Sequence, residues 1–586
     1  MNEALTTNPT LRAWVQMVVE HAKPDRVHWC VGTKSERADL ANEMVRAGQL
    51  IELDPTAHPR SFLYRTHPGD VDPADATTFV STHKSSDAGP TNRWMSRDEA
   101  QKRVWPLFQD AMRGRTMYVV PYVMGPPHSP FSSVGVEITD SPYIVLCLGL
   151  MTRMGRAALD RLGDTKHFVR GLHSTGDLSP ERRFVVHFPE DSEVWSVGSG
   201  NAANALLSKK CHALRLASVQ AREDGWLAEH MSLLGLTNPD GETQYIAVAA
   251  SNARERGELA NFAPALPGWK VESLGGDVCW MRPGDDGRLW AVNPDFGVFD
   301  SVASLSSGST SNALDALSSE VIFTNVALRA GGRVWWEGLD SRLDEDEFIE
   351  DWRGVTWTER AALSPAAHPR ASFTVARKNW AKDSASFERN QGVPISAIVF
   401  CGRHARSSPL VYEARTWRHG VYVGATLVSE ADGADKPRHD PMAMRDFCGY
   451  NMGEYLEHWL SVGRKLNRPP TMFHINWFRT SIEGRRIWPG GGENIRVFKW
   501  ILERVDGTAP ARNTPLGYVP TEESFDLSGL DLPPERLMQL LSGNSSALLR
   551  QAGRALEFFG RFRDRLPASL LTEHRSLIRR LQESLH

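Results

Sequence analysis

The sequence predicts a mixed α/β protein of the α+β type with at least two lobes. The chain has 586 residues, which is more than one hydrophobic core usually organises. Runs rich in β-branched and aromatic residues at Met117–Val123, Tyr245–Ala250 and Ile398–Phe400 predict strands. Apolar residues at helical spacing over Ala205–Arg222, followed by Gly225, predict a helix. Strands and helices therefore follow one another along the chain, a pattern typical of mixed folds.

Further runs are predicted from their apolar character alone. Tyr143–Met151 is too short to cross a membrane, so we predict a buried strand over Tyr143–Leu148. Val421–Val423 is also predicted as a strand, and the segment from Pro533 onward is predicted to be helical.

The charge balance excludes several classes of partner. The chain has 67 basic and 71 acidic side chains and a net charge of −4, so we expect neither a nucleic-acid nor a membrane partner. The six cysteines form no Cys-x-x-Cys pair, which argues against a zinc ribbon or a disulfide framework. The first ten residues lack the pattern of an export signal, so we expect a cytoplasmic protein. We also expect the protein to be a monomer.

A series of short motifs runs in unbroken order from about residue 10 to about residue 520. It includes Asp87–Asn92 (DAGPTN), Arg113–Pro121 (RGRTMYVVP), Gly135–Asp140 (GVEITD), Lys209–Cys211 (KKC), Gly225–His230 (GWLAEH), Leu266–Glu272 (LPGWKVE), Ile322–Val326 (IFTNV), Trp417–Gly420 (WRHG) and Asn476–Phe478 (NWF). Through these motifs the chain resembles the GTP-dependent phosphoenolpyruvate carboxykinases. The resemblance implies the two-lobed fold of that family, with a deep central cleft.

The resemblance also implies how the chain is divided. An N-terminal lobe is expected over residues 1–224 and a C-terminal nucleotide lobe over residues 225–586, with a short lid at about 429–440. In the family, oxaloacetate is decarboxylated to an enolate, which a divalent metal ion stabilises before the enolate takes the γ-phosphoryl group of GTP.

Three residues match the metal ligands of the family. They are Lys210, His230 and Asp277, and the resemblance implies that they hold Mn²⁺ (or Mg²⁺) and form the catalytic centre. A lysine binds metal only when neutral, and burial together with the charge of the ion lowers its pKa enough for that. Without the resemblance, the same residues are typical of a solvated helix, a core histidine and a loop turn, because no compact ligand motif links them.

The phosphate loop departs from the family pattern. The family has Gly-Lys-Thr after a strand, where backbone N–H groups, the lysine and the hydroxyl together bind the triphosphate. The matching residues here are Glu255, Arg256 and Gly257, which make the loop a degenerate version of the motif and put GTP use in doubt.

The guanine pocket departs from the family pattern in part. Arg403, Phe478 and Asn494 match nucleotide-binding positions, so the resemblance implies that they contact the nucleotide. Arg486 and Gly491 replace two aromatic walls of the pocket, which predicts weaker stacking on the base.

The substrate side is also changed. Pro73 stands where the family has the arginine that grips the dicarboxylate, and Asn201 replaces a tyrosine that faces the substrate. Arg370 replaces an asparagine, and with Arg254 and Arg256 it offers new positive charge for an anion pocket. We therefore expect a small anionic substrate, bound by these arginines and Asn201.

Three functions remain open from the sequence. The leading hypothesis is a divergent metal-dependent lyase or decarboxylase, which acts on an oxaloacetate-like 2-oxo acid or a related phosphate or phosphonate through a metal-stabilised enolate. The first alternative is a catalytically inactive homologue with a binding or regulatory role. The second alternative is an ordinary GTP-dependent phosphoenolpyruvate carboxykinase.

Overall fold

The computed structural model describes residues 5–71, 74–250, 262–302, 305, 311–339, 343–344, 347–359, 363–380, 389–402, 407–429, 438–481 and 484–585. The chain folds as two compact units. The first comprises Met1–Ala88, Asn92–Val219 and Pro294–Asn390, and the second comprises Gly89–Thr91, Gln220–Asn293 and Gln391–His586. Helices and sheets occur in both units, which confirms the predicted mixed α/β class.

The described part of the first unit has two mixed β-sheets and one antiparallel β-sheet. The largest runs in the spatial order Arg26–Trp29, Thr116–Met124, Ser133–Thr139, Val169–Ser174, Glu193–Val197, Phe184–Phe188 and Thr78–Val80, with Arg153–Met154 beside Thr116–Met124. A second sheet has the order Gly297–Ser301, Ser372–Ala376, Val321–Thr324, Phe62–Tyr64 and Ile51–Glu52, and a third has the order Arg333–Trp335, Ala327–Arg329, Ile349–Glu350 and Thr356–Trp357. The strand predicted at Met117–Val123 is confirmed within Thr116–Met124.

Helices cover these sheets. They are Pro9–Ala22, Lys34–Arg46, Ser85–Ala88, Arg97–Arg103, Pro142–Met151, Arg156–Leu162, Ala202–Ala205, Leu207–Leu216, Ser311–Ala316 and Arg377–Trp380, with short 3₁₀ turns at Ala74–Thr77, Trp105–Phe108, Pro180–Arg182 and Pro189–Asp191. The helix Ala217–Asp224 continues Leu207–Leu216 and contains the boundary between the units, so the helix predicted over Ala205–Arg222 is confirmed.

The strand predicted at Tyr143–Leu148 is wrong, because this run is the helix Pro142–Met151. Nearly all of its side chains are buried in one hydrophobic cluster of the first unit. A run that is apolar on every face has no period to separate helix from strand, and Pro142 suits the first turn of a helix.

The second unit is built on a large mixed sheet. Its main path has the order Leu227–Glu229, Cys279–Pro283, Leu289–Val292, Val393–Cys401, Thr471–Ile475, Val411–Glu413, Tyr518–Pro520 and Ala511–Asn513, and Ser232–Thr237, Thr243–Ala250 and Lys270–Gly275 extend it beside Val393–Cys401. A separate pair joins Val428–Ser429 to Arg438–His439. The strands predicted at Tyr245–Ala250 and Ile398–Phe400 are confirmed, and they pair in parallel.

Helices of the second unit cover this sheet and form the end of the chain. They are Trp417–Ala425, Met452–Gly463, Asn494–Val505, Pro534–Leu541, Ser545–Gly560 and Ala568–Glu583, with 3₁₀ turns at Pro441–Ala443, Gly491–Glu493, Glu522–Ser524 and Arg563–Arg565. The helical segment predicted after Pro533 is confirmed, whereas the strand predicted at Val421–Val423 is wrong because it lies inside Trp417–Ala425. Within the described part of the chain, every helix is too short or too polar to span a lipid bilayer.

His419 is a buried histidine near the start of the Trp417–Ala425 helix. Its Nδ1 accepts the backbone N–H of Arg415 at 3.0 Å. Burial, together with the positive charges of Arg580 and Arg415, lowers the pKa of His419 from 6.5 to about 3. The folded protein therefore keeps this ring neutral at pH values where the unfolded chain binds a proton.

The pKa of His419 predicts acid sensitivity of the second unit. The stability that this group contributes is complete above about pH 6.5 and is lost as the pH falls towards 3. We expect His419→Asn, whose amide oxygen can accept the same N–H, to reduce the pH dependence of the free energy of unfolding by about 1 kcal/mol per pH unit between pH 6 and pH 4. Urea unfolding at each pH measures this, and an unchanged slope would contradict it.

Candidate active site

Two of the predicted metal ligands, His230 and Asp277, belong to the second unit. His230 directly follows the strand Leu227–Glu229, and Asp277 lies just before Cys279–Pro283, with which that strand pairs antiparallel. Both side chains are buried, at 2% and 9% exposure. Each residue thus lies where the chain leaves one strand and enters the next, a position that we call a strand crossing.

The strand register brings these two crossings together. Glu229 pairs with Cys279 on one side of the crossings, and Leu233 pairs with Gly275 on the other side. Because the same number of residues separates the two pairs on each strand, the crossings run side by side. The two predicted ligands are therefore near neighbours, although they are far apart in sequence.

The ring of His230 is fixed by its surroundings. Its Nδ1–H donates to the carbonyl of Ala443 at 3.1 Å, and its plane packs against Phe447 with ring centroids 4.4 Å apart. In the neutral ring this leaves the lone pair on Nε2, which is the tautomer that a metal ligand needs. Asp277 supplies a carboxylate, the oxygen ligand that Mn²⁺ and Mg²⁺ prefer. These two residues therefore fit a divalent metal ion.

Glu229 anchors the strand that leads to His230. Its carboxyl group receives hydrogen bonds from the Tyr455 hydroxyl and from the Trp459 indole N–H, the second at 3.0 Å. Burial raises the pKa of Glu229 to about 8. Glu229 is thus largely uncharged at neutral pH, and it ties this strand end to the helix Met452–Gly463.

The predicted ligand Lys210 belongs to the first unit. It is half-buried on the Leu207–Leu216 helix, which is wound with wide π-type turns of the kind often found at functional sites. Its neighbour Lys209 is buried, and the Nζ of Lys209 donates to the Phe299 carbonyl at 2.7 Å and lies 4.0 Å from the Asp295 carboxylate. The charge of Lys209 is therefore balanced inside the first unit.

Asn201 lies in a turn that the sequence assigns to the substrate. The Asp70 carboxylate accepts the backbone N–H groups of Gly200 and Asn201 at 2.6 and 2.9 Å, and the side-chain amide of Asn201 donates to the Asp70 carbonyl at 3.2 Å. Arg183, itself buried, lies 3.1 Å from the same carboxylate. Asn201 therefore helps to hold its own turn.

Arg370 is exposed at the start of the strand Ser372–Ala376. Its backbone N–H donates to the Nδ1 of His368 at 3.1 Å, and that ring packs edge-on against Trp352 with centroids 4.9 Å apart. The backbone of this segment is thus fixed, while the guanidinium group is presented to solvent.

Phe478, Arg486 and Asn494, predicted from the sequence to lie at the base, belong to the second unit. The guanidinium of Arg486 lies over the Phe478 ring, 4.9 Å from its centroid, and Arg486 also donates to the Trp477 carbonyl at 3.0 Å. Asn494 is buried, and its side-chain oxygen accepts the Trp488 indole N–H at 2.8 Å. Arg486 thus covers the Phe478 ring, which the family resemblance predicts to contact the guanine base.

Several predicted residues lie outside the described residues. They are Pro73 of the substrate loop, Arg254, Glu255, Arg256 and Gly257 of the phosphate loop, Arg403, and residues 430–437 of the lid. Their predicted roles stay predictions.

Comparisons with known proteins cover almost the whole chain. The family model described as "Phosphoenolpyruvate carboxykinase N-terminal domain" matches residues 13–222, and the one described as "Phosphoenolpyruvate carboxykinase C-terminal P-loop domain" matches residues 226–580. A protein named phosphoenolpyruvate carboxykinase [GTP] from Anaeromyxobacter dehalogenans (strain 2CP-C) is 45% identical over 584 residues, 98% of both chains. The chain belongs to the GTP-dependent phosphoenolpyruvate carboxykinase family. Relatives with the same printed name from Chlamydia muridarum and Chlamydia trachomatis are each 44% identical over 97% of both chains.

The comparisons correct the leading functional hypothesis. A divergent lyase or decarboxylase with a different substrate is wrong, because relatives at about this identity over the full length carry the name of the ordinary GTP-dependent carboxykinase. The doubt about GTP conflicts with the same finding, and the changed phosphate loop does not outweigh it. The family membership that the motifs predicted is confirmed.

The sequence did not single out Asp70 or Arg183 of this carboxykinase-family chain. Asp70 lies about 130 residues from the turn that it holds, so no local pattern links them. Its one sequence signal is the turn-forming series His67-Pro-Gly-Asp70. Arg183 has no such signal, because its role depends on burial next to Asp70.

Proposed function

We propose that this protein catalyses the GTP-dependent interconversion of oxaloacetate and phosphoenolpyruvate. The observation that carries the proposal is the pair His230 and Asp277, buried at adjacent strand crossings in a chain related over its full length to proteins named phosphoenolpyruvate carboxykinase [GTP]. When bound there, a divalent metal ion would supply Lewis-acid stabilisation of negative charge that develops on substrate oxygens.

The residues themselves have separate roles in this proposal. The hydrogen bond from His230 to the Ala443 carbonyl holds the imidazole in one orientation and one tautomer. Asp277 offers its carboxylate from the adjoining crossing. Lys210 stays the predicted third ligand, and its amine must lose its proton before it can bind metal.

Charged groups of the first unit favour an anionic substrate. The exposed guanidinium of Arg370 is suited to a carboxylate or a phosphate, because its planar donors bind such groups in pairs. Asn201 is assigned a positioning role, since its amide and its backbone N–H are both bonded to Asp70.

The guanine site is proposed to use a different surface from the one that the family pattern implies. The guanidinium of Arg486 lies over the Phe478 ring, 4.9 Å from its centroid, and a guanidinium plane can stack on a base. The base would therefore pack against Arg486, with Phe478 supporting it from behind.

The proposed function is tested by measuring the formation of phosphoenolpyruvate. Purified protein is incubated with oxaloacetate, GTP and Mn²⁺, and ³¹P NMR follows the appearance of phosphoenolpyruvate and GDP in equal amounts. Oxaloacetate decarboxylates without an enzyme, so release of CO₂ or pyruvate does not suffice. Reactions without GTP or with excess chelator serve as controls and are expected to give no phosphoenolpyruvate.

Two results would overturn the proposal. Mn²⁺ binding without any phosphoenolpyruvate formation, in either direction of the reaction, would favour a catalytically inactive homologue. Pyruvate formation that is accelerated by the protein but independent of GTP would show different chemistry at the same residues.

A further inference from the structure

The first unit contains a cluster of side chains of metal-ligand type, none of which has a role in the proposed function. Within the described residues, His28, Cys30 and Glu36 bring one ligand atom each to within 4.8 Å of one another. His28 lies within the strand Arg26–Trp29, Cys30 directly follows that strand, and Glu36 lies in the first turn of the helix Lys34–Arg46. We propose that these three side chains form a second metal site, selective for a zinc-type divalent transition ion.

The ligand set favours zinc over the ions that the catalytic residues prefer. A thiolate, an imidazole and a carboxylate are typical ligands of Zn²⁺ and of its analogue Co²⁺. The catalytic trio also offers a single carboxylate, so the difference lies in the Cys30 thiolate, a soft ligand that favours Zn²⁺ over Mn²⁺ and Mg²⁺. Three protein ligands leave a fourth tetrahedral position for water, as in zinc sites that are open to solvent.

The carboxylate of Glu36 is already held in place. It accepts the backbone N–H groups of Val31 at 3.0 Å and Gly32 at 2.8 Å, and its own backbone N–H is bonded to the Thr33 hydroxyl. Its Oε1 also lies 2.8 Å from the His28 Nε2. A metal ion between these two atoms would replace the hydrogen that they share, while the backbone donors keep the carboxylate oriented.

The site is closed on the cysteine side and open on the histidine side. Cys30 is fully buried in a hydrophobic cluster, whereas the His28 side chain is 32% exposed. An ion can therefore approach past His28 and reach the Cys30 sulfur at the back of the site. Binding breaks the sulfur–hydrogen bond and forms the sulfur–metal bond, and the thiol proton leaves to solvent. The hydrogen on the His28 Nε2 shifts to Nδ1, which frees the Nε2 lone pair for the metal.

The buried thiol could instead be a plain core residue. Burial, with a smaller contribution from the Glu36 charge, raises the pKa of Cys30 well above its usual value, so the thiol keeps its proton without a metal. A bound dication reverses this balance, because a coordinating thiol is deprotonated by the ion. The two interpretations therefore differ in one measurable property, the sulfur–metal bond.

The experiment uses Co²⁺ as the probe in the full-length protein with Mn²⁺ present. We expect a thiolate-to-cobalt charge-transfer band in the near ultraviolet, and we expect Zn²⁺ to abolish it by competition. Cys30→Ser and His28→Gln are expected to lose the band, or to need at least about tenfold more cobalt to produce it. His28→Gln changes a partly exposed side chain, so it tests the site even if Cys30→Ser fails to fold.

Matched variants separate this site from other cysteines and from the catalytic residues. Cys147→Ser changes another buried cysteine of the same hydrophobic cluster, and His167→Gln changes an exposed histidine of the first unit; both should keep the band. Asp277→Asn should also keep the cobalt band. The test of this second metal site is therefore independent of the test of the catalytic residues. A wild-type protein without the band, or a Cys30→Ser variant with the full band, would overturn the proposal.

Discussion

His230→Asn is expected to abolish phosphoenolpyruvate formation, with kcat/KM lowered at least about 10³-fold, which corresponds to about 4 kcal/mol of transition-state stabilisation. The asparagine amide can still donate to the Ala443 carbonyl, as Nδ1–H does in the native ring. It has no counterpart of the Nε2 lone pair. The variant therefore keeps the anchoring hydrogen bond and removes the ligand atom alone.

Metal binding should fall together with activity. The signal of free Mn²⁺ in electron paramagnetic resonance reports how much of the ion is bound, and we expect both His230→Asn and Asp277→Asn to lower this amount strongly. Unfolding in urea checks that the fold is intact, because a change in midpoint would indicate a structural effect.

The controls are chosen from the same unit. His458 is buried, and its Nε2 bonds the Trp226 carbonyl at 2.5 Å, so His458→Gln, whose longer amide reaches the position of Nε2, is the matching change at a second buried histidine. Asp286 lies in the loop after Cys279–Pro283 and bonds Arg288 and Trp290. Asp286→Asn and His458→Gln should bind Mn²⁺ normally. If His230→Asn binds Mn²⁺ as they do, the ligand assignment is wrong.

The elements that the sequence predicted well are those with a local signal. Met117–Val123 and Tyr245–Ala250 are bounded β-branched runs, and both are strands. Val421–Val423 has the same composition but lies in a helix, because Gly420 and Gly424 on either side let the helix pack closely against Met472 and Met442. Such close packing cannot be read from three residues.

The candidate site could be predicted only through the family motifs, and the roles of its residues stay predictions. His230 and Asp277 have no compact spacing, and the register between two pairs of strands is what makes them neighbours. The sequence analysis did not single out His28 and Cys30, and the contribution of Glu36 depends on the hydrogen bonds that its carboxylate accepts from Val31 and Gly32. Contacts through space of this kind require the folded chain.

Gly155→Ala is expected to lower the free energy of unfolding of the first unit by at least about 3 kcal/mol. Gly155 precedes the helix Arg156–Leu162 and has a φ of +89°, and an added Cβ would lie 2.0 Å from the Val31 carbonyl oxygen and 2.8 Å from the Gly32 nitrogen. Both are backbone atoms, which cannot rotate aside as a side chain does. The turn that holds Glu36 must therefore shift.

Gly163 at the other end of the same helix is the matched control. It also has a positive φ, +49°, but among the described residues beyond its immediate chain neighbours no atom lies within 4 Å of an added Cβ. Gly163→Ala should therefore cost only the strain of a backbone conformation that favours glycine (φ +49°, ψ −132°), about 1–3 kcal/mol, and less than Gly155→Ala. Urea unfolding compares the two, and the cobalt band should weaken in Gly155→Ala alone, because Val31 and Gly32 orient the carboxylate of the zinc-type site. Equal costs for the two variants would show that backbone strain, and not the contact with Val31, sets the requirement for glycine at position 155.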